Sequence, residues 1–343
     1  MKTYIALDVS QTDTHLCAVD EGKNVLWETR CFTSPTSIYD TIQRKTTEPT
    51  LVGLETGSLS PWLYHELKEL GLPVVVMDAA DANARMGRQR RVKNDRRDAR
   101  GLAELLRADM HKEVHVKSYE NHRIRGAIGA RAQLVRTLVD VKNQIRGLLK
   151  VEGTRLTRKQ VTNLKESVAP SQFEQDSIRV LNEVAAYVSA KVNELERSLT
   201  KQAEQHEGAS LLMTIPGVGP VTALTFATTM DDPTRFQKSR NVGPYLGLTP
   251  KIYQSGNTEI IGRCSKQGDK YLRSCLYQAA CVLLVRTNRT SPLQDWGRRL
   301  RARTGFKKAC IAVARKLAVM MHRMLITGEE YRPSAAAAVP AAT

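Results

Sequence analysis

Apolar residues along the chain fall into three successive regimes. In the first hundred residues short apolar runs alternate with amphipathic stretches. Residues 4–9 form a β-rich run, and 15–20 and 25–29 follow after brief polar breaks, which predicts a three-stranded antiparallel meander. Residues 35–44 read as a short helix and 51–54 as a buried strand ending at Glu55. Residues 61–70 read as an amphipathic helix with Leu63, Leu67 and Leu70 on one face. The wholly apolar run 73–77 suits a central parallel strand. Residues 95–107 predict a helix with Ala99, Leu102, Ala103 and Leu106 inward. In the middle third the period changes: Leu134, Leu138, Val141, Ile145 and Leu148 recur at heptad spacing, as do Ile178, Leu181, Ala185, Val188, Val192, Leu195 and Leu199. An antiparallel hairpin within the chain and a coiled coil between chains both fit, with 152–170 as the turn region. From about Ser210 onward the pattern is helical again. It opens with Pro216-Gly-Val-Gly219 between two helices, an arrangement resembling a helix-hairpin-helix element. Gly217 and Gly219 there let the backbone approach phosphates at a helix N-terminus.

Four segments follow from these regimes: an α/β domain over 1–116, a helical connector over 117–207, a mainly helical domain over 208–330 and a disordered Ala/Pro-rich tail over 331–343. Three antiparallel strands followed by alternating helices and strands is the RNase H-like order.

Charge narrows the choice of partner. Lys and Arg total 52 against 35 acidic residues, a net charge of +17, which favours nucleic acid over a membrane surface, the competing polyanion. Basic residues crowd the last helices, at Arg298, Arg299, Arg301, Arg303, Lys307, Lys308, Arg315 and Lys316. No stretch approaches the roughly 18 apolar residues of a membrane span, and the apolar run at the start is short and interrupted by Asp8, so a cytoplasmic, nucleoid-associated bacterial protein is expected. The six cysteines form no CxxC pair and no Cys–His cluster at zinc spacing, which points to free thiols.

The candidate chemistry lies in carboxylates. Asp8 ends the first strand, Glu55 ends the strand after the meander, and Asp95 and Asp98 share one face at a helix start. Singly, each reads as a turn residue, a helix cap or half of a surface ion pair. Together, beside the basic run Arg85, Arg88, Arg90, Arg91, Lys93, Arg96, Arg97 and Arg100, they suit a metal-dependent phosphoryl-transfer edge. An all-oxygen donor set favours Mg2+ or Mn2+.

Ile5-Ala-Leu-Asp-Val-Ser10, Gly53-Leu-Glu-Thr-Gly57 and Lys93-Asn-Asp-Arg-Arg-Asp-Ala-Arg100 resemble the DEDD signature of one insertion-sequence transposase family. That family is related to the Piv DNA invertases and contains the bridge-RNA-guided recombinases. Pro216-Gly-Val-Gly219, Tyr245-Leu-Gly-Leu-Thr-Pro250, Ser255-Gly-Asn257 and Ser265-Lys-Gln-Gly-Asp-Lys-Tyr-Leu-Arg273 resemble its C-terminal signature, and the likeness spans roughly residues 3–325. The resemblance implies a RuvC-like domain, a coiled-coil connector and a C-terminal transposase domain. It further implies a serine that attacks DNA to form a phosphoserine link, a structured guide RNA, and a dimer that becomes a tetramer in synapsis. By motif position the nucleophile is Ser255, with Ser265 as rival; the family pattern often has two serines before the glycines, where this chain has Gln254-Ser255. Lys251, Arg263, Lys266 and Arg273 are candidates for phosphate contact. Two other classes remain open on sequence alone, a RuvC-like nuclease or resolvase without a covalent intermediate and a non-catalytic nucleic-acid-binding protein. An actin-like sugar kinase fits poorly, for want of a second Gly-rich phosphate loop and because of the basic balance.

Overall fold

The computed structural model describes residues 2–87, 95–151, 153–157, 160, 176–255, 258–286 and 291–333, with residues 95 and 96 described by backbone alone. The expectations for Arg88, Arg91 and Lys93, for most of 152–170, for Gly256-Asn257 and for the tail over 334–343 fall outside these residues, as do the side chains of Asp95 and Arg96. The chain divides into two compact units, Met1–Lys117 and Ser118–Thr343.

The first unit is built on β1 (Thr3–Val9), β2 (Asp13–Asp20), β3 (Val25–Phe32), β4 (Leu51–Glu55) and β5 (Val74–Met77). They form one sheet in the order β3-β2-β1-β4-β5. The first three strands run antiparallel as the expected meander, and β1, β4 and β5 are parallel. Strand parity sorts the side chains. Ile5, Leu7, Leu16, Ala18, Val52, Leu54, Val74 and Val76 join a core with α1 (Pro35–Lys45) and α2 (Ser60–Glu69). Ala6, Cys17, Val19 and Met77 face the other way, into a second core with α3 (Ala79–Met86) and α4 (Asp95–Arg107), where Ala99, Leu102, Ala103 and Leu106 are inward as expected. A Cβ on Gly53 would meet the Leu106 and Met77 side chains at 3.1 Å, so this glycine lets α4 lie close on the sheet. Caps fix the helix starts: Ser34 Oγ accepts from Ser37 N, and Asp78 accepts from Ala80 N and Asp81 N. Leu70, expected on the inner face of α2, instead follows the helix end and is 38% exposed.

The second unit opens with two long helices, α5 (Tyr119–Val151) and α6 (Asp176–Gln205), which lie against each other within the chain. On α6 the expected seam is inward at Ile178, Ala185, Val188, Val192 and Leu199. On α5 the seam is followed in part: Ile145 is buried as expected and Leu134, Leu138, Val141 and Leu148 are half-buried, while Ile124, Ile128, Ala132 and Leu149, outside the expected set, are buried. The cause is a change of partner along the helix. The start of α5 joins the main core of this unit through Ile124 and Ile128, and its far end closes a separate cluster with Leu156 and Ile178. Arg131 ties α5 to Glu196 of α6.

The main core gathers α7 (Glu207–Met213), α8 (Pro220–Met230), α9 (Val242–Tyr245), α10 (Lys270–Val285), α11 (Pro292–Thr304) and α12 (Phe306–Thr327). Helix α8 is buried from Ala223 to Met230, including three threonines. Their hydroxyls donate back to carbonyls one turn earlier: Thr225 to Val221, Thr228 to Leu224 and Thr229 to Thr225, at 2.5–2.7 Å. Between α9 and α10 stands an element absent from the helical expectation, the two-stranded hairpin of β6 (Pro250–Ser255) and β7 (Thr258–Cys264). Among the described residues no helix is long and apolar enough to cross a membrane.

Candidate active site

Asp8 and Glu55 owe their placement to register. Leu7 stands beside Leu54 in the parallel β1–β4 pair, so the next residues, Asp8 and Glu55, are neighbours at the C-terminal ends of adjacent strands. Alternation puts Asp8 on the face of Ala6 and Glu55 on that of Gly53, both toward α4. On that helix Asp98 is 8% exposed and precedes the inward Ala99. Three of the four expected carboxylates therefore belong to the α4 side of the sheet, and the fourth, Asp95, is the first residue of α4. The donor chemistry fits a hard divalent cation. Among the described residues no three His, Cys, Asp or Glu side chains are grouped closely enough to hold an ion on their own.

The same face carries residues that the sequence reading passed over. In the antiparallel pairs Asp8 stands opposite His15, and His15 opposite Arg30. A transverse row thus runs Glu55, Asp8, His15, Arg30 across four strands. A cavity of about 330 Å³ beside it is lined by His15, Leu16, Glu28, Thr29, Arg30 and Ala99. Glu28 pairs with Arg100 of α4. Burial, reinforced by the Glu28 carboxylate, pushes the nearby Cys17 thiol up to about 12, which keeps it protonated and inert. Once 8–15 is written as a β-hairpin, pairing by residue sum places His15 across from Asp8; that signal was available in the sequence. Of the basic run, Arg97 is exposed on α4, and Arg85 pairs with Asp81 at 2.7 Å.

Ser255 ends β6, directly across from Thr258 of β7, with only residues 256 and 257 between them. Every residue of β6 is exposed, Ser255 included. Ile252 and Tyr253, each 59% exposed, pair with Ile261 and Ile260, 68% and 59% exposed. Lys251 and Arg263 lie exposed near the base of this hairpin. Ser265, by contrast, has a buried hydroxyl with no hydrogen-bond partner among the described residues. Its amide donates to Thr249 O at 2.9 Å, which closes the hairpin base.

The segment from Ser265 to Asp269 is a tight loop that leads into α10. Lys266 (φ 57°) and Gly268 (φ 71°) both take left-handed backbone. A Cβ on Gly247 would fall 2.4 Å from the Gln267 backbone, so only glycine fits against this turn. Arg273 Nη1 donates to the carbonyls of Leu246, Gln267 and Gly268, which ties α10 to the turn before it. Asp269 caps α10 by accepting from Tyr271 N and Leu272 N at 2.8 and 2.9 Å, and it accepts from Arg125 at 2.5 Å. Burial would raise its pKa, but the bonds from Arg125, Leu272 and Tyr271 outweigh that and hold it below the ordinary carboxylate value. Lys266 itself is exposed. In the α7–α8 turn, Gly217 has φ 89° and would carry a Cβ 3.1 Å from Ala279 O, while Gly219 is the exposed N-cap residue of α8.

Comparison with known proteins points to one family. Residues 5–152 match a DEDD family model of the IS110 type, described as Transposase, and residues 209–294 match the model described as Transposase IS116/IS110/IS902 family. The transposase for insertion sequence element IS1111A of Coxiella burnetii is 26% identical, over 96% of this chain and 91% of its own length. The transposase for insertion sequence element IS1328 of Yersinia enterocolitica is 27% identical, over 92% and 94%. The pilin gene-inverting protein of Moraxella bovis is 27% identical over 46% of this chain and 48% of its own. A DEDD domain implies a divalent metal ion, and transposases are enzymes that cut and rejoin DNA. With both signatures matched in order and relatives aligned over nearly the whole chain, this protein belongs to the IS110-type family of DEDD insertion-sequence transposases.

Proposed function

We propose that the chain cleaves and rejoins DNA through a phosphoserine link at Ser255, assisted by a carboxylate site made of Asp8, Glu55, Asp95 and Asp98. The contrast between the two candidate serines carries this reading: Ser255 is exposed at the end of a projecting strand, whereas the Ser265 hydroxyl is buried at its base. In the proposed step Ser255 Oγ attacks the scissile phosphorus, the bond to the departing deoxyribose oxygen breaks, and the hydroxyl proton leaves to a base. Rejoining reverses the exchange with a new DNA hydroxyl as nucleophile. A serine hydroxyl is a weak nucleophile and needs activation. A bound Mg2+ or Mn2+ would supply Lewis acidity toward the phosphate oxygens. The carboxylates hold the site's negative charge at fixed strand ends, and Asp98 does so from a buried position.

The sheet order, with an antiparallel meander followed by two parallel strands, supports a RuvC-like fold for residues 1–116. Residues 117–207 serve as a coiled-coil connector and 208–330 as the transposase domain. Helix α6 leaves Val180, Val184 and Tyr187 41–66% exposed at heptad-like spacing, which supports a dimer at least and a tetramer in synapsis. Exposed Arg97, Lys251, Arg263 and Lys266, with Gly217 and Gly219, contact DNA or a structured bridge RNA. The test is a suicide-substrate trap with Mg2+, the element's end DNA and its flanking transcript, resolved on a denaturing gel. A covalent band lost in Ser255→Ala and kept in Ser265→Ala is expected. Cleavage without any covalent band would favour a metal-only nuclease.

A further inference from the structure

From the end of the chain we infer a docking surface for double-helical DNA at the elbow between α11 and α12, distinct from the residues assigned above. No acidic residue occurs between Asp295 and Glu329, a stretch that carries nine Lys and Arg. Six of these, Arg298, Arg299, Arg301, Arg303, Lys307 and Lys308, are exposed around the one-residue junction Gly305. Cations elsewhere are commonly neutralised, as in Arg125–Asp269, Arg131–Glu196, Arg100–Glu28 and Lys191–Glu194. None of the six at the elbow has a carboxylate partner among the described residues. Six unpaired like charges repel one another, and a polyanion relieves that repulsion.

The elbow is also stiff. Gly305 has φ 85°, its amide donates to Arg301 O at 2.9 Å, and its carbonyl accepts from Ala309 N at 3.1 Å. Arg301 lies over the Phe306 ring at 5.1 Å, bridging the two helices. The neighbouring Trp296 ring is covered by Lys316 at 4.3 Å. Single strands are held by bases stacked on open aromatic faces. Here both rings are already covered by cations, so the surface offers charge without a stacking platform. That suits a duplex, which presents about one phosphate charge per 1.7 Å of axis with its bases already stacked.

The inference rests on the family's action on DNA, and its test is independent of the serine. The full-length chain would be titrated with a short random-sequence DNA duplex over a range of salt, as wild type and as the combined variant Arg298→Gln, Arg299→Gln, Arg303→Gln, Lys307→Gln. Arg301 is left in place for its packing. A control variant with equal charge loss elsewhere carries Lys2→Gln, Arg44→Gln, Lys45→Gln and Lys201→Gln. Circular dichroism and melting confirm that each is folded. Each lost phosphate contact flattens the log–log salt slope by about 0.9, so four predict a change of about 3.6. Over a fourfold salt range that is roughly a hundredfold difference in salt sensitivity. A flattening of about two units or more, absent from the control, is the expected result. A smaller change overturns the inference, and so does a slope change seen only with an RNA duplex or only with single-stranded DNA. Failure of the serine reading would show separately, as a wild type that forms no covalent band while its salt slope is steep.

Discussion

Asp8 and Glu55 close parallel strands whose preceding residues are buried on both faces of the sheet, whereas Ser255 closes a strand exposed along its whole length. The carboxylate strands are clamped between α1 and α2 on one side and α4 on the other, so the backbone that carries them has little freedom. The serine arm has no such cover. A two-stranded hairpin is marginally stable by itself in water, and this one displays Ile252, Tyr253, Ile260 and Ile261 to solvent. The difference matches two demands of phosphoryl transfer. Charge must be preorganised where it is to act, while the proposed nucleophile must be able to reach DNA.

The largest effects expected from this contrast are chemical. Ser255→Ala should lower recombination by roughly a thousandfold or more with DNA binding retained, read as product and covalent band on one gel. Asp8→Asn and Glu55→Gln should do the same, and near-wild-type turnover in any of the three would break the assignment. Stability separates the two supports next. Leu106→Ala, which removes the side chain lying over Gly53, should cost about 2–5 kcal/mol by denaturant unfolding. Ile252→Ala in the hairpin should stay within about 0.5 kcal/mol and still impair recombination. Equal losses at the two sites would mean that the arm is as well supported as the sheet.

A smaller effect concerns pH. His322 is buried, with Nε2 donating to Pro233 O at 2.9 Å and Nδ1 accepting from Ser239 Oγ at 3.0 Å, the roles set by the carbonyl. Burial lowers its pKa; the bond to Pro233 opposes this and the nearby Arg235 adds to it, with a net shift downward. The depressed value means that its contribution to stability is complete above the unfolded value of about 6.5 and is lost as pH falls through the folded value. The melting temperature should therefore drop on mild acidification, and His322→Gln should flatten that part of the profile. An unchanged profile would mean that His322 is not the group being titrated.

Much of the sheet was legible because its strands alternate strictly. Parity alone put Ile5 and Leu7 on one side and Ala6 and Asp8 on the other, and the inward row of α4 followed from helical period. Helix α6 was equally plain, since Ile178, Ala185, Val188, Val192 and Leu199 of its expected seam are all buried. Helix α5 was not: it serves two cores, and a straight helix drifts by about 20° per heptad from a strict repeat, so Leu149 is buried where Leu148 was expected. The β6–β7 hairpin escaped a reading based on core burial because it buries nothing. Its trace was the two-residue Gly256-Asn257 between β-rich runs. His15 and Arg30 escaped because no single motif contains them; only the pairing of three strands brings them level with Asp8.

The Arg273 clamp fixes the base of the arm that carries Ser255. Both feet of the hairpin are pinned side by side, by Ser265 N to Thr249 O, by Lys266 N to Gly247 O, and by the guanidinium gripping Leu246, Gln267 and Gly268. The arm therefore projects from a base whose two strands are held together. Six residues of strand at about 3.3 Å each give it a length of roughly 20 Å. For the attack proposed for Ser255, the scissile phosphate would be met at about that distance from the base.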